Sequence, residues 1–334
     1  MAYPVPALTF VRCADTTPSG TAVENMLDSI YSALTAANDY RGTAKPATHA
    51  WTITKRAVLG VTNALTCEPP ASAGLGVTPV VIIAGRTSAN TPTAPTMLAP
   101  DTSFNSTLMV GVNKNGGAYN SWDAALPMTS GQWSGYYRAS NTIMATTTIV
   151  RCYVSQETIL VTTINSSTSH AWIYSGAILQ PYSNDTSVCA ETDGRIYGMT
   201  VSGGGAVVSS TWLTTSAAVF SHNTAANSVH SAVYQPNTAT MWACGTRTLY
   251  STGGGTIPET QDSLGAYIGD IMDFGRNIAT GANTGTRLGT LRGIYRSGNV
   301  ISGRWLRSGA TDLYHYVSVD TANVANAFML PAVS

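Results

Sequence analysis

The stretches TTTIVRCYV (146–154), TILVTTI (158–164) and AWIYSGAIL (171–179) decide the fold class. Each is dense in β-branched or aromatic residues, and only short polar connectors separate them: SQE at 155–157 and SSTS at 166–169. Runs of this length, bounded by turn-forming residues, read as three successive antiparallel strands. Along the first, Ile149, Arg151 and Tyr153 point one way and Val150, Cys152 and Val154 the other, because side chains alternate across a pleated strand. The second set is expected to face the core.

Working outward, the same style fills the chain beyond Pro46. Trp51, Ile53 and Lys55 alternate with threonines, Val80 to Ile83 form a short apolar run, and Leu108, Val110 and Val112 alternate before the hairpin signal Asn115-Gly116-Gly117. Later runs are Arg195 to Val201, Thr211 to Leu213, Ala217 to Phe220, Val229 to Tyr234 and Thr240 to Cys244. Leu291 to Tyr295, Val300 to Leu306 and Leu313 to Val319 close the series. The single helical pattern lies near the start, where Val23, Met26, Leu27, Ile30 and Leu34 fall on one face. Thr21 and Glu24 have capping-box spacing, so a helix over 20–37 is predicted, ending near Asn38. The expected architecture is mainly β: an antiparallel β-sandwich or jelly-roll-like body with one N-terminal amphipathic α-helix. Residues 1–45 form a segment whose helix docks on the body; 46–334 form the body, as one large sandwich or as two lobes divided near 190.

Composition narrows the function classes. The chain has 334 residues, 44% hydrophobic, with net charge zero, which is a folding composition and not a disordered one. Charged residues are only 10% of the chain, against about 25% in an average soluble domain. Low charge weakens repulsion between copies, which suits a molecule that ends in a fixed assembly. Lys45, Lys55 and Lys114 are the lysines and the arginines are scattered, so no basic stripe tracks a phosphate backbone and direct nucleic-acid binding is not expected. No apolar run reaches membrane-spanning length, the N-terminus lacks a secretory pattern, and synthesis in the cytoplasm without membrane insertion is expected. Cys13, Cys67, Cys152, Cys189 and Cys244 are dispersed; they read as free, buried thiols, with one late-formed bridge left open.

No motif carries catalysis, and neither cofactor nor metal is expected. His49, His170, His222, His230 and His315 lack metal-pair spacing. Glu191, Asp193 and Asp270 are the carboxylates a glycan-degrading enzyme would use, but an Asp-Gly turn opening the strand at Arg195 explains the first two. Asp312 and His315 project oppositely on a regular strand, which argues against a dyad. Trp122, Trp133, Tyr136 and Tyr137 form an aromatic cluster flanked by Asn, Ser and Gln. It reads first as core and second as a contact surface for a glycan or a partner protein.

One layout ties these pieces together. SGTAVENMLDSIYSALTAAN (19–38) is followed by the Trp-containing strand HAWTITKRAVL (49–59), then by long Thr-, Ser-, Ala- and Gly-rich β segments, and the chain closes on TDLYHYVSVDTANVANAFMLPAV (311–333). This layout resembles a broad group of tailed-bacteriophage virion proteins. The resemblance implies a non-enzymatic building block of the tail, baseplate, collar or capsid surface, located in the virion after synthesis in the host cytoplasm. Its partners would be copies of itself and other virion proteins, with a capsid-decoration or host-glycan-binding spike role as the alternative.

Overall fold

A computed structural model describes residues 7–20, 23–58, 61–75, 80–87, 106–113, 136–137, 148–164, 170–181, 194–203, 229–234, 241–244, 260–261, 267–268, 289–296, 307–308, 311–318 and 327–333. The architecture is mainly antiparallel β with one helix, α1, at Val23–Thr35. The expected hairpin at Asn115-Gly116-Gly117, the connector at 166–169, and the runs at 211–213, 217–220 and 300–306 lie outside the described residues.

The meander read from the sequence is the centre of an eight-stranded sheet. Its strands are β1 (Val11–Arg12), β7 (Ile149–Val154), β8 (Thr158–Ile164), β9 (His170–Pro181), β10 (Ile196–Gly203), β11 (Val229–Tyr234) and β12 (Met241–Cys244), adjacent in that order. The eighth, β15 (Gly289–Leu291), pairs with β9 through Leu291–Leu179. It continues the edge of β9 that β8 leaves after the Thr158–Gly176 pair. Strands β9 and β10 pair from Ala171–Gly203 to Leu179–Ile196.

A second, five-stranded sheet runs in chain order through β2 (Thr52–Val58), β3 (Val61–Glu68), β4 (Val80–Thr87), β5 (Ser106–Asn113) and β6 (Tyr136–Tyr137). The two sheets meet where β4 to β6 approach β9 and β10. Farther along, α1 lies between them, touching β2 to β5 on one side and β7 on the other. Smaller pairings follow: β13 (Thr260–Gln261) with β14 (Tyr267–Ile268), β17 (Arg307–Ser308) with β18 (Thr311–Asp312), and the order β16 (Tyr295–Arg296), β20 (Ala327–Pro331), β19 (Tyr314–Ser318). No helix among the described residues is long and apolar enough to cross a membrane.

The helix is more deeply placed than a docked amphipathic helix would be. Met26, Leu27, Ile30, Ala33 and Leu34 are buried in one apolar cluster with Trp51, Leu65, Val81 and Ile83 of one sheet and Val150, Cys152, Val154 and Ile173 of the other. Removing this much apolar surface from water is the main stabilising term. The helix ends at Thr35, earlier than predicted. Lys45 folds back and donates from Nζ to the carbonyls of Ala33 and Leu34 at 3.1 and 3.0 Å. A cation there satisfies orphan carbonyls at the negative end of the helix.

The alternation in β7 holds: Val150, Cys152 and Val154 are buried in the core, whereas Ile149 is exposed. The opposite face is not simply solvent, however. Tyr153 is fully buried there, its ring 5.6 Å from that of His315 in β19. The closing series also differs from its reading. Leu291 to Tyr295 is broken by a turn at Arg292-Gly293, so β15 and β16 join different sheets. Leu313 to Val319 starts at Tyr314, after a bend at Leu313.

Candidate functional site

Among the described residues, two of the groups of charged side chains arise from chain segments distant in sequence. The first begins at the Ser155-Gln156-Glu157 turn between β7 and β8. Ser155 N–H donates to the Thr158 carbonyl at 2.9 Å, and the Ser155 hydroxyl accepts from the N–H groups of Glu157 and Thr158 at 3.1 and 2.9 Å. Trp51 Nε1 donates to the Ser155 carbonyl at 2.7 Å, tying the turn to the other sheet. The connector is therefore buried, not the solvent-facing link its polar residues suggest; Glu157 is only 2% exposed.

Arg195, just before β10, grips the Glu157 carboxylate with two bonds, Nε to Oε2 at 2.9 Å and Nη2 to Oε1 at 3.0 Å. Arg292, just after β15, donates from Nη1 to Oε2 and also to the Ala177 carbonyl at 2.9 Å. Its own carbonyl accepts from the Tyr174 hydroxyl at 2.7 Å, and burial pushes the Tyr174 phenol well up. Both arginines are buried. Two glycines make the arrangement possible. At Gly176, with φ +122°, a Cβ would stand 2.2 Å from the Glu157 carbonyl, which receives the Ala177 N–H at 3.1 Å. At Gly293, with φ +66°, a Cβ would meet the ring of Phe10 at 2.7 Å. Only glycine takes these backbone angles without strain.

The second group surrounds a groove of about 200 Å³ lined by Phe10, Val11, Arg12, Asp39, Arg41 and His315, among others. It forms where the N-terminal segment meets the chain's last strand: Phe10 N–H donates to the Pro331 carbonyl at 2.7 Å, and His315 Nε2 donates to the Phe10 carbonyl at 3.0 Å. Arg12 and Arg41 lie over the Tyr40 ring at 4.4 and 5.6 Å from its centroid. Asp39 accepts from the backbone N–H groups of Arg41 and Thr43, both at 2.8 Å, and from Arg41 Nε at 3.2 Å. Asp15 accepts from Arg12 Nη2 at 3.0 Å and from Arg151 Nη2 at 2.7 Å. Burial would raise the Asp15 carboxyl, but the hydrogen bonds and charges of Arg151 and Arg12 hold it below its usual range.

Chemically, both groups are braces. The carboxylates of Asp15, Asp39 and Glu157 are each bound to guanidinium or backbone N–H donors. Among the described residues no cluster of three or more His, Cys, Asp or Glu could hold a metal ion. His49, buried beside β2, donates from Nε2 to the Thr9 carbonyl at 3.1 Å, and its Nδ1 lies 2.9 Å from the Thr48 hydroxyl. Burial holds its pKa down.

Of the residues singled out from sequence, Trp122 and Trp133 lie outside the described residues, as do Glu191, Asp193, Asp270 and His222. Tyr136 and Tyr137 form β6, the last strand of the five-stranded sheet, paired with Met109 and Leu108. Gly194, the second residue of the expected Asp-Gly turn, has φ +77° and stands two residues before β10, which begins at Ile196 and not at Arg195. Glu157, Arg195 and Arg292 were not singled out by sequence reasoning. Their signal was scarcity: in a chain with so few charges, each sits directly beside an apolar run, in ETILV, GRIYG and LRGIY. Compared with models of protein families, with curated proteins and with solved structures, the chain matches none.

Proposed function

We propose that this chain is a non-enzymatic structural protein of a bacteriophage virion, placed in the tail or baseplate region and acting through contacts with its own copies and with other virion proteins. One observation carries the reading. The carboxylates of Asp15, Asp39 and Glu157 are each held by arginine, so scarce charges brace the fold while a neutral Thr-, Ser-, Ala- and Gly-rich chain is left for contact. A β-rich surface with few charges favours close association, because little desolvated charge or like-charge repulsion opposes it. Closed symmetric oligomers are the usual outcome for such surfaces.

The test has two arms. Native mass spectrometry of the full chain at rising concentration should give one closed oligomer. Gold-labelled antibody to the chain should decorate particles released from the host that carries its gene, at one end of the tail. A chain that stays monomeric at high concentration and labels no particle would overturn the proposal. Label on the capsid shell would move it to the decoration alternative. Glycan-array binding that is lost on substituting Trp122, Trp133, Tyr136 or Tyr137 would move it to the spike alternative.

A further inference from the structure

Three of the described cysteines, Cys13, Cys67 and Cys152, are free and fully buried in the same apolar cluster. Two of them are also cross-strand neighbours. The β1–β7 pairing runs Val11 with Val154 and Arg12 with Tyr153 and ends there; Cys13, the next residue, bridges Asp39 on its other side, and extending the register by one residue places it opposite Cys152. That step is marked by the Cys13 N–H donating to the Cys152 carbonyl at 2.9 Å. Both side chains lie on the core face, with those of Val11 and Val154. Directly opposed residues of antiparallel segments have Cα atoms about 4.5–5.5 Å apart, inside the range of about 4.4–6.8 Å that a disulfide spans.

We propose that Cys13 and Cys152 form a latent disulfide site, which a low-molecular-weight disulfide such as oxidised glutathione closes, locking the N-terminal segment onto the eight-stranded sheet. The chemistry balances. One thiolate attacks oxidised glutathione and releases one reduced glutathione, giving a mixed disulfide. The second thiolate then displaces the other glutathione, so two protein thiols become one S–S bond and one oxidised glutathione becomes two reduced ones. Cys13 is the better first attacker. Burial raises both thiols and the Lys45 ammonium opposes that at both, but only at Cys13 does Lys45 add a hydrogen bond that works the same way. Both thiols are fully buried, so entry of the oxidant requires local opening of the segment around β1, a two-residue strand.

This inference stands on strand register and does not depend on the virion reading. The full chain would be incubated with oxidised glutathione in urea below its unfolding transition, quenched with an alkylating agent and digested without reduction. The expected result is a loss of about 2 Da, as two hydrogens leave, with one linked peptide joining Cys13 to Cys152. A rise in Tm of roughly 5 °C should follow, since the bond closes a long loop, and dithiothreitol should reverse it. Cys13→Ala and Cys152→Ala should each abolish the linkage, and Cys67→Ala should keep it. Because core variants can misfold, mapping on the unsubstituted chain decides. Full alkylation of both residues, or a bond to Cys67, Cys189 or Cys244 instead, overturns the proposal.

Discussion

Glu157 and Asp15 are each held between two arginines, yet one triad is sealed inside the protein and the other stands at its surface. The side chains of Glu157, Arg195 and Arg292 are 3%, 7% and 4% exposed; those of Asp15, Arg12 and Arg151 are 32%, 24% and 22% exposed. The stoichiometry is the same and the bond lengths are similar. What differs is the solvent each group gave up. A buried ion carries a desolvation penalty of several kcal/mol, offset only while every partner stays in place, whereas an exposed bridge trades water for protein at nearly even terms. The inner triad is therefore a device for specifying geometry, fixing β8, β10 and β15 around one carboxylate. The outer one contributes little to stability and can be altered at small cost.

The largest effect should come from breaking the inner triad on one side. Glu157→Ala leaves two buried guanidiniums without their carboxylate and should destabilise the fold by about 3–5 kcal/mol, read as a lower urea midpoint. Replacing all three members together, with Glu157→Leu, Arg195→Met and Arg292→Met, should recover most of that loss, because well-packed apolar groups of similar volume are often no less stable than a buried ion cluster. If the triple variant were no better than Glu157→Ala, desolvation would not be the governing term.

Gly176→Ala should be next, at about 2–3 kcal/mol from a disfavoured φ and a Cβ forced against the Glu157 carbonyl, measured by the same denaturation. Trp51→Phe keeps the ring but removes the Nε1 donor from the Ser155 carbonyl, and should lose about 1–2 kcal/mol. A double-mutant cycle with Glu157→Ala would show whether the turn and the triad act as one unit.

Asp15→Asn should be the mildest, below about 1 kcal/mol and weaker still at high salt. Its pH signature has a definite sign. The folded-state pKa is depressed, so the stabilisation is present above the ordinary carboxylate value of about 3.9 and disappears as pH falls through the lower folded value. Thermal scans from pH 6 down to pH 2 should show the wild-type advantage over Asp15→Asn shrinking only at the acid end.

Much of the fold was legible before the structure. Strands β8, β11 and β12 fall within a residue of the runs that announced them, and β7 ends where its run ends but starts at Ile149 and not Thr146, since β-branched density between turn residues is a local property. The buried stripe of α1 was readable for the same reason, although its C-terminal boundary was not: Lys45, ten residues beyond Thr35, helps set it through the Ala33 and Leu34 carbonyls. The inner triad was not legible. Glu157 sits in a polar tripeptide that looks like an ordinary connector, and its two partners lie far along the chain, each beside a glycine that could mark any turn.

The sequence by itself determined that this is a β-rich chain with one early amphipathic helix, few charges and thiols suited to a core, because those properties follow from composition and from periods of two and 3.6 residues. Only the tertiary structure decided which charges meet, that the helix is packed between sheets instead of resting on their outer surface, and that Tyr153 has cover on the side opposite the core. Those outcomes depend on which distant strands become neighbours. Pairing of that kind is set by the summed burial of many residues, which no local stretch contains.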